Sequence, residues 1–242
     1  MVPWTDRQLS DFQSAVAWKT GYELPDGRLL GVPGKRGNVA RGIDPRVQAV
    51  MDHLEPAGKR ILEIGCCEGG HTVQLAAICA EVVGLDVRPH NIVGALVRSF
   101  VHGVSNVRFG VADVRDIGDD FGAFDIVFHV GVLYHLDDPV AHLSRIAQLA
   151  PDLLLDSHYA DDSLNWPSTE LTHDGHRYAA RLYREGEWDD VFSGVLPSSA
   201  WLICDDLLRC LRDVGYSTIR LLDDRKERNG PRLTLIARHS RR

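Results

Sequence analysis

The sequence predicts an α/β fold in which helices cover both faces of a mostly parallel sheet of seven strands. Short apolar segments alternate with segments of helical periodicity along most of the 242 residues. Strands that alternate with helices are joined by right-handed crossovers and therefore run parallel. Hydrophobic residues make up 44% of the chain, which is enough for a core of this size.

Seven short segments are predicted strands, and four longer segments are predicted helices. Residues 124–130 are almost entirely apolar, which is typical of a strand buried on both faces. Pro89 stands in the first turn of one helix, and Gly215 ends the last one. The predicted strands are 60–64, 81–86, 107–111, 124–130, 153–155, 217–222 and 232–238, and the predicted helices are 70–80, 89–101, 138–150 and 199–214.

Two segments depart from this alternation. Residues 1–56 are predicted to form an N-terminal helical cap, with helices at 6–19 and 45–54 and turn-forming residues between them. Residues 57–242 are predicted to form the main domain. Within it, an insertion at about 158–200, after the fifth strand, is predicted to be a lid.

Composition and charge weigh against several classes of protein. The formal net charge of −7 argues against a dedicated nucleic-acid-binding protein. No apolar stretch approaches the ~20 residues that cross a bilayer, and the N-terminus lacks the apolar run of a signal peptide. Five cysteines, two of them adjacent at Cys66 and Cys67, indicate reduced thiols in a cytoplasmic protein rather than disulfides or a zinc site.

A glycine-containing turn follows the first predicted strand. Gly65 and Gly69 allow the backbone to approach a ligand closely, and a helix begins directly after them. In a dinucleotide enzyme such a turn holds a pyrophosphate. Glu63 and Glu68 would repel that group, so the turn better suits a ligand with a cationic sulfonium and an amino-acid group.

Three further segments follow the next strands, at the edge where open α/β sheets bind ligands. Asp86 ends the second strand and suits ribose hydroxyls, the alternative being a solvated turn residue. Asp113 follows the third strand and suits an adenine amino group, the alternative being a helix cap. Residues 130–136 follow the fourth strand.

Together these segments resemble the motifs of class I S-adenosylmethionine-dependent methyltransferases, which have a Rossmann-like fold. Residues 62–72 resemble the first motif and residues 124–139 the fourth, although Cys67 stands where the first usually has its middle glycine. The resemblance implies a methyl-transferring enzyme that binds S-adenosylmethionine. It implies cofactor contacts from Glu63, Gly65, Cys66, Glu68, Gly69, Asp86, Val87, Ala112, Asp113, His129, Val130 and Gly131.

A narrower resemblance rests on the short segments 33–34, 131–135 and 196–199. They are similar to segments of the methyltransferase family that contains the tRNA wobble-uridine carboxymethylating enzymes. The same pattern occurs in bacterial enzymes that methylate sugar hydroxyls, including actinobacterial ones that act on mannosides. The first group implies tRNA as the acceptor, and the second implies a saccharide.

The insertion is the segment most informative about the acceptor. Aromatic faces beside polar groups suit a sugar ring, which has an apolar face and a hydroxyl edge, the alternative being a small separate core. Arg177, Arg181 and Arg184 recur at helical spacing and form either a phosphate or carboxylate clamp or a solvated face. The candidate substrate residues are Tyr134, Tyr159, Trp166, His173, Tyr183, Arg184 and Trp188.

Two histidines are candidates for the general base that a weakly nucleophilic sugar hydroxyl needs. His135, after the fourth strand, is the first, with a structural hydrogen bond as its alternative. His158, at the end of the fifth strand, is the second. His158 also groups with Asp156, Asp161 and Asp162, which could hold magnesium, but turn and cap roles are favoured and no metal is assigned.

Three functions remain open. The first is an O-methyltransferase acting on a small molecule or oligosaccharide, the second a tRNA wobble-uridine-modifying enzyme, and the third a non-catalytic cofactor-binding module. Acidic charge favours the first over the second, with no nucleic-acid or membrane partner expected. The aromatic, histidine-rich lid favours the first over the third, and the exposed lid and N-terminal helix are compatible with a homodimer.

Overall fold

The computed structural model describes residues 4–33, 39–118, 121–186, 188 and 190–240. Gly34, in one of the short segments used above, lies outside them. The chain divides into two compact units, residues 1–116 and 117–242, and each is described in turn. No helix in the described ranges is both long and apolar enough to cross a membrane.

The first unit contributes three parallel strands to the central sheet. β4 and β5 pair with Ile61 opposite Val82, and β5 and β6 pair with Leu85 opposite Gly110. Ile61 and Val82 are fully buried, the pattern of strands covered on both faces. The elements are α1 (Asp6–Ala15), β1 (Gly21–Glu23), β2 (Leu29–Gly31), β3 (Val39–Ala40), α2 (Pro45–Leu54), β4 (Arg60–Ile64), α3 (Gly70–Ala76), β5 (Glu81–Asp86), α4 (Pro89–His102) and β6 (Val107–Val111).

The segment between α1 and α2 differs from the turn-rich loop predicted between the two helices of the cap. It contains three short strands in the order β2-β1-β3. The turn formers at 25–27 close the hairpin between β1 and β2, where Leu24 N donates to Arg28 O at 2.7 Å. Strands of two or three residues are too short to show a period-two pattern, so the sequence indicated only the turn.

The second unit contributes the other four strands. β7 and β8 are parallel, β13 is antiparallel to β8, and β12 pairs with β13. The order of the central sheet is β12-β13-β8-β7-β4-β5-β6, which confirms the predicted mostly parallel sheet of seven strands. The elements are β7 (Ile126–Val130), α5 (Pro139–Leu149), β8 (Asp152–His158), β9 (Ser168–His173), β10 (His176–Arg184), β11 (Ser198–Leu202), α6 (Cys204–Asp213), β12 (Tyr216–Glu227) and β13 (Gly230–His239).

The insertion after β8 is a second sheet, antiparallel, in the order β11-β10-β9. In β10 the buried Tyr178 and Ala180 alternate with less buried neighbours, the period of a strand. The helical spacing expected for the arginines at 177, 181 and 184 is therefore wrong. The turn between β9 and β10 is Asp174 and Gly175, both with positive φ, a hairpin signal that the sequence carried.

The last predicted helix also begins later than expected. Residues 198–202 form β11, and α6 begins only at Cys204. Ser199, Ala200, Trp201 and Leu202 are buried in succession. A short, mostly apolar run next to a helical pattern fits either a buried strand or the first turn of the helix, which explains why the start of the helix was predicted too early.

Two histidines pack against each other in the core of the second unit. His129 in β7 and His142 in α5 are buried, and their Nε2 atoms lie 2.9 Å apart. Burial lowers the pKa of His129 well below its ordinary value, and His142 lowers it further. His129 is therefore neutral in the folded protein.

We expect acid to destabilise the protein in part through His129. In the unfolded chain the imidazole takes up a proton below about pH 6.5, whereas the buried ring does not. The unfolded state then binds more protons, so stability is lost as the pH falls, by about 1.4 kcal/mol per such histidine at about pH 5.5. His129→Gln should remove this part of the decrease, measured by urea denaturation at several pH values.

The matched control for this experiment is His90→Gln, which changes an exposed histidine in α4. It should keep the wild-type dependence of unfolding free energy on pH. The same dependence in His129→Gln would show that the buried imidazole does not contribute to it.

Candidate functional site

The glycine-containing turn after β4 has the shape that its sequence suggests. Gly65 and Gly69 have φ angles of 71° and 75°. A Cβ on Gly69 would lie 3.1 Å from the Cα of Ala95, so α4 packs directly on the turn. Cys67 has φ 50°, which costs a residue with a Cβ ~1–2 kcal/mol. The left-handed backbone explains why glycine is usual at that position, and it shows that Cys67 preserves the shape of the turn.

Glu63 is a buried carboxylate with one oxygen left without a partner. Its side chain is 1% exposed, and Oε2 accepts a hydrogen bond from Thr72 Oγ1 at 2.5 Å. Oε1 has no hydrogen-bond partner, and the nearest cationic candidate, His71 Nδ1, is 3.8 Å away. Burial raises the pKa of Glu63 to about 8, and the nearby charge of Asp86 adds to the effect. A cationic ligand group at Oε1 would compensate this desolvation.

Asp86, at the end of β5, holds the turn. Its carboxylate accepts hydrogen bonds from Cys67 N at 3.0 Å, Arg88 N at 2.9 Å and Asn91 Nδ2 at 3.0 Å. The side chain is buried, so the alternative of a solvated aspartate is wrong. A carboxylate has about four acceptor positions, so Asp86 retains capacity for one ligand hydroxyl.

Asp113 follows β6 and binds its own neighbour. It accepts hydrogen bonds from the Arg115 backbone at 2.9 Å and from the Arg115 guanidinium. These contacts cap the short 3-10 turn Val114–Asp116, as the alternative of a capping residue predicted. The adenine contact inferred from the resemblance stays a prediction.

Glu68 is occupied by the N-terminal segment. Its carboxylate accepts hydrogen bonds from Lys19 N at 2.7 Å and from the N and Oγ1 of Thr20 at 2.9 and 2.5 Å. The fully buried Arg98 donates to Glu68 O at 2.6 Å and lies over the Trp18 ring. Glu68 therefore fixes the turn to residues 18–20, and its contact with the cofactor stays a prediction.

The predicted base in the second unit, His135, has a carboxylate partner. It ends a 3-10 turn, Leu133–His135, which follows β7, and its Nδ1 lies 3.0 Å from both oxygens of Glu185. Glu185 is buried and also accepts hydrogen bonds from Ser193 Oγ, Gly194 N and Ser199 Oγ, at 2.5 to 2.8 Å. No pattern in the sequence points to Glu185, because it lies 50 positions from His135 in an irregular stretch.

Glu185 remains ionised in spite of its burial. Burial opposes the charge, but the hydrogen bond and charge of His135, together with the hydrogen bonds of Ser193 and Ser199, lower the pKa of Glu185 to about 2. A carboxylate bound to Nδ1 fixes the ring orientation and selects the tautomer with its proton on Nδ1. The lone pair is then on Nε2, where the ring accepts a proton.

Five rings form an aromatic cluster next to His135: Tyr134, His158, Trp166, Tyr183 and Trp201. Trp201 is its centre, with ring centroids 4.9 Å from Trp166, 5.2 Å from Tyr183 and 5.4 Å from Tyr134. Tyr134 in turn contacts the His135 ring at 4.2 Å. Trp201 is buried, whereas Trp166 and Tyr183 are half-buried, so these two present ring surface to solvent.

His158, the second candidate base, belongs to this cluster. It stacks on Trp201 at 4.8 Å, and its Nδ1 lies 3.0 Å from Pro231 O. Burial lowers its pKa, and the charge of Arg232 lowers it further. His158 therefore forms part of the aromatic wall, with Nε2 3.7 Å from Glu227.

A cavity of about 390 Å³ lies beside the aromatic cluster. Trp166 and Tyr183 form one wall, and the turn between β12 and β13 forms another. Gly230, with φ 138°, lets this turn approach Trp201, since a Cβ there would lie 3.1 Å from the indole. The lining residues are Ser163, Leu164, Trp166, Tyr183, Lys226, Glu227, Arg228, Asn229, Gly230 and Pro231.

The other predicted substrate residues do not line this cavity. Tyr159 donates a hydrogen bond to Asp224 at 2.8 Å, and His173 lies 3.6 Å from Asp174 at the β9–β10 turn. Arg184 and Trp188 are exposed. The three-arginine clamp does not form, because Arg177 and Arg181 lie on one face of β10 and pair with Glu170 and Asp162, while Arg184 lies on the other.

The acidic group considered as a magnesium site is dispersed. Asp156 is fully buried and accepts hydrogen bonds from Arg225 at 3.0 Å, Arg232 at 2.6 Å and Thr234 at 2.6 Å. Asp161 caps the turn at Ser163. Among the residues described, no group of three or more histidines, cysteines or acids is arranged to hold a metal ion.

A family model described as "Methyltransferase domain" matches residues 55–184. Among solved structures, the N-terminal domain of EvdMO1, crystallised in the presence of S-adenosylhomocysteine (SAH) and D-fucose, is similar over 98% of both chains. The TM-score is 0.78 and the sequence identity 27%.

Two curated relatives are similar over shorter segments. The tRNA U34 carboxymethyltransferase of Aeromonas salmonicida is 31% identical over 181 residues, which cover 72% of this chain and 50% of the relative. The ubiquinone biosynthesis O-methyltransferase of Xanthomonas axonopodis pv. citri is 34% identical over 105 residues, 43% and 44% of the two chains. The chain thus spans about half the length of the curated relatives it matches.

Proposed function

Because this chain belongs to the S-adenosylmethionine-dependent methyltransferase family, we propose that it transfers a methyl group to a hydroxyl group of a sugar, with His135 as the general base. The observation that carries this proposal is the contact between His135 Nδ1 and the buried, ionised Glu185. A non-catalytic binding module has no need of such a pair.

The first unit carries the groups that suit the cofactor. Glu63 Oε1 would bind its cationic amino-acid end, because it is a buried carboxylate oxygen without a partner. Asp86 would accept a ribose hydroxyl beside the hydrogen bonds that hold the turn. Asp113 remains the candidate for the adenine amino group. S-adenosylmethionine would supply a methyl group on a sulfonium: the acceptor oxygen would bond to the methyl carbon as the sulfur–methyl bond breaks, and the neutral thioether S-adenosylhomocysteine would leave.

His135 would remove the proton of the attacking hydroxyl. Nδ1 is held by Glu185, so the proton would go to Nε2, and the imidazolium so formed would be stabilised by the adjacent carboxylate. General base catalysis of this kind contributes ~10²–10⁴-fold to the rate. Glu185 is a positioning residue, since it acts through His135.

Two features support a sugar as the acceptor. The half-buried rings of Trp166 and Tyr183 stand beside polar side chains in the cavity, which matches the apolar face and hydroxyl edge of a sugar. The N-terminal domain of EvdMO1, similar over nearly its whole length, was crystallised in the presence of D-fucose.

The cysteines are all free thiols, which is consistent with the cytoplasmic setting that we propose.

The second candidate function is modification of tRNA. The 31% identity with a tRNA U34 carboxymethyltransferase over 72% of this chain favours it. The net charge of −7 weighs against it, because affinity for nucleic acid comes mainly from lysine and arginine contacts with phosphates.

We expect Glu63→Gln to weaken binding of S-adenosylmethionine by about 10- to 100-fold, measured by calorimetry, because a charged hydrogen bond is worth about 1.5–3 kcal/mol. Since the pKa of Glu63 is raised to about 8, the free protein holds a proton that a cationic ligand must displace. Wild-type affinity should therefore increase from about pH 6 to about pH 8, and the affinity of Glu63→Gln should not.

Glu81→Gln, at the opposite end of the adjacent strand β5, is the matched control and should bind like the wild type. Equal affinity and equal pH dependence in Glu63→Gln and the wild type would contradict the assignment of Glu63 to the cofactor.

We expect His135→Ala to bind S-adenosylmethionine normally and to lose about 10²–10⁴-fold in kcat. Glu185→Gln should lower kcat with little change in KM, and the acidic limb of its pH–rate profile should move to lower pH, because the imidazolium loses its stabilising carboxylate. A merely structural role for Glu185 would not move this limb. His176→Ala, an exposed histidine of the same unit, is the control. Normal turnover by the His135→Ala variant would rule out His135 as the general base.

The acceptor is best tested by transfer of a radiolabelled methyl group from S-adenosylmethionine to D-fucose, other monosaccharides and oligosaccharides, with bulk tRNA in parallel. We expect incorporation into a saccharide, in alkali-stable form as an ether requires, and none into tRNA. Incorporation into tRNA alone would replace the first function by the second.

A further inference from the structure

We infer that the cavity between the aromatic cluster and the β12–β13 turn binds an anionic phosphoryl group carried by the acceptor, so that the preferred substrate is a phosphorylated sugar rather than a free one. The inference rests on the proposed function, because it assigns the acceptor class of the same enzyme. It is carried by the charges that line the cavity.

Two cations line the cavity near the β12–β13 turn. Lys226 lies near the end of β12 and Arg228 in the turn, and neither has a carboxylate within 4 Å among the residues described. Asp161 is near enough to Lys226 for the lysine to lower the pKa of Asp161, but the two groups do not form an ion pair. Most other cations of the second unit for which contacts are described are paired with an acid.

The carboxylate among the lining residues, Glu227, has basic partners other than Lys226 and Arg228. It lies 2.9 Å from Arg225 Nε, 3.7 Å from Arg232 Nη1 and 3.7 Å from His158 Nε2. The same two arginines bind Asp156, and Arg225 also lies 2.8 Å from Asp223. Because these acids are bound by Arg225 and Arg232, the charges of Lys226 and Arg228 are available to a ligand. The residues that line the cavity carry two cations against one carboxylate, although the chain as a whole carries −7.

The remaining lining groups fit the rest of such a substrate. Trp166 and Tyr183 offer ring faces, their centroids 5.0 Å apart, on which a sugar or a nucleoside base can stack. Asn229 and Ser163 add neutral hydrogen-bonding groups. Two cations and adjacent ring faces are what a glycosyl phosphate or a nucleotide sugar requires, and a neutral sugar would leave both cations without a counter-charge.

The test compares three acceptors with the same sugar: D-fucose, D-fucose 1-phosphate and thymidine diphosphate-D-fucose. Wild-type protein should have a KM for the phosphorylated compounds at least about tenfold below that for D-fucose, since hydrogen bonds to charged groups are the stronger ones. Lys226→Glu and Arg228→Glu should each raise the KM for the phosphorylated compounds by about tenfold or more, and by a larger factor than the KM for D-fucose. The matched control is Arg220→Glu, which reverses an exposed charge elsewhere on β12.

A binding measurement keeps this inference separate from the proposed function. D-fucose 1-phosphate and thymidine diphosphate are titrated calorimetrically into the wild type and the two charge-reversal variants. Loss of binding in Lys226→Glu and Arg228→Glu would support the cationic cavity even if no compound is methylated; the absence of methylation would overturn only the proposed function. The inference would be overturned if D-fucose and D-fucose 1-phosphate were methylated with equal KM. It would also be overturned if both variants bound the phosphate compounds as tightly as the wild type.

Discussion

The structure is organised by the cost of burying carboxylates. A carboxylate removed from water must be matched by hydrogen bonds or a cation, or it takes up a proton. Three buried acids meet this requirement fully: Glu68 with Lys19 and Thr20, Asp156 with two arginines, and Glu185 with four donors. Glu63 does not, because one of its oxygens has no partner. The contrast separates acids that hold the fold together from one that suits a cationic ligand.

Hydrogen bonds to a buried acid also connect segments that lie far apart in the sequence. Glu185 follows β10, and its donors come from Ser193 and Gly194 in the irregular stretch, from Ser199 in β11 and from His135 after β7. Loss of one donor would leave the others to stabilise the charge, whereas loss of the carboxylate would release them all at once. The insertion is thereby fixed to the histidine proposed as the base.

The sequence predicted the central sheet and the cofactor motifs because both are local patterns. Strands β4, β5, β7 and β8 contain apolar runs, and the turn at Gly65 to Gly69 directly follows β4. The pairing of His135 with Glu185 depends on the path of the chain through the insertion, and no spacing or composition reports it. The β9–β10 hairpin was predictable in part, because Asp174–Gly175 is a favoured turn sequence, but three arginines at spacings of four and three suggested a helix instead.

Similarity in sequence does not by itself specify the acceptor. Similarity to the ubiquinone biosynthesis O-methyltransferase extends over 105 residues and to the tRNA U34 carboxymethyltransferase over 181, yet these names denote very different acceptors. Common motifs can therefore specify the methyl donor without specifying the acceptor. In this chain we propose that the acceptor is recognised by Trp166 and Tyr183 in the insertion and by Lys226 and Arg228 at the β12–β13 turn. Under this proposal, exchange of a few cavity-lining side chains would change the acceptor while the buried acids that hold the fold stay unchanged.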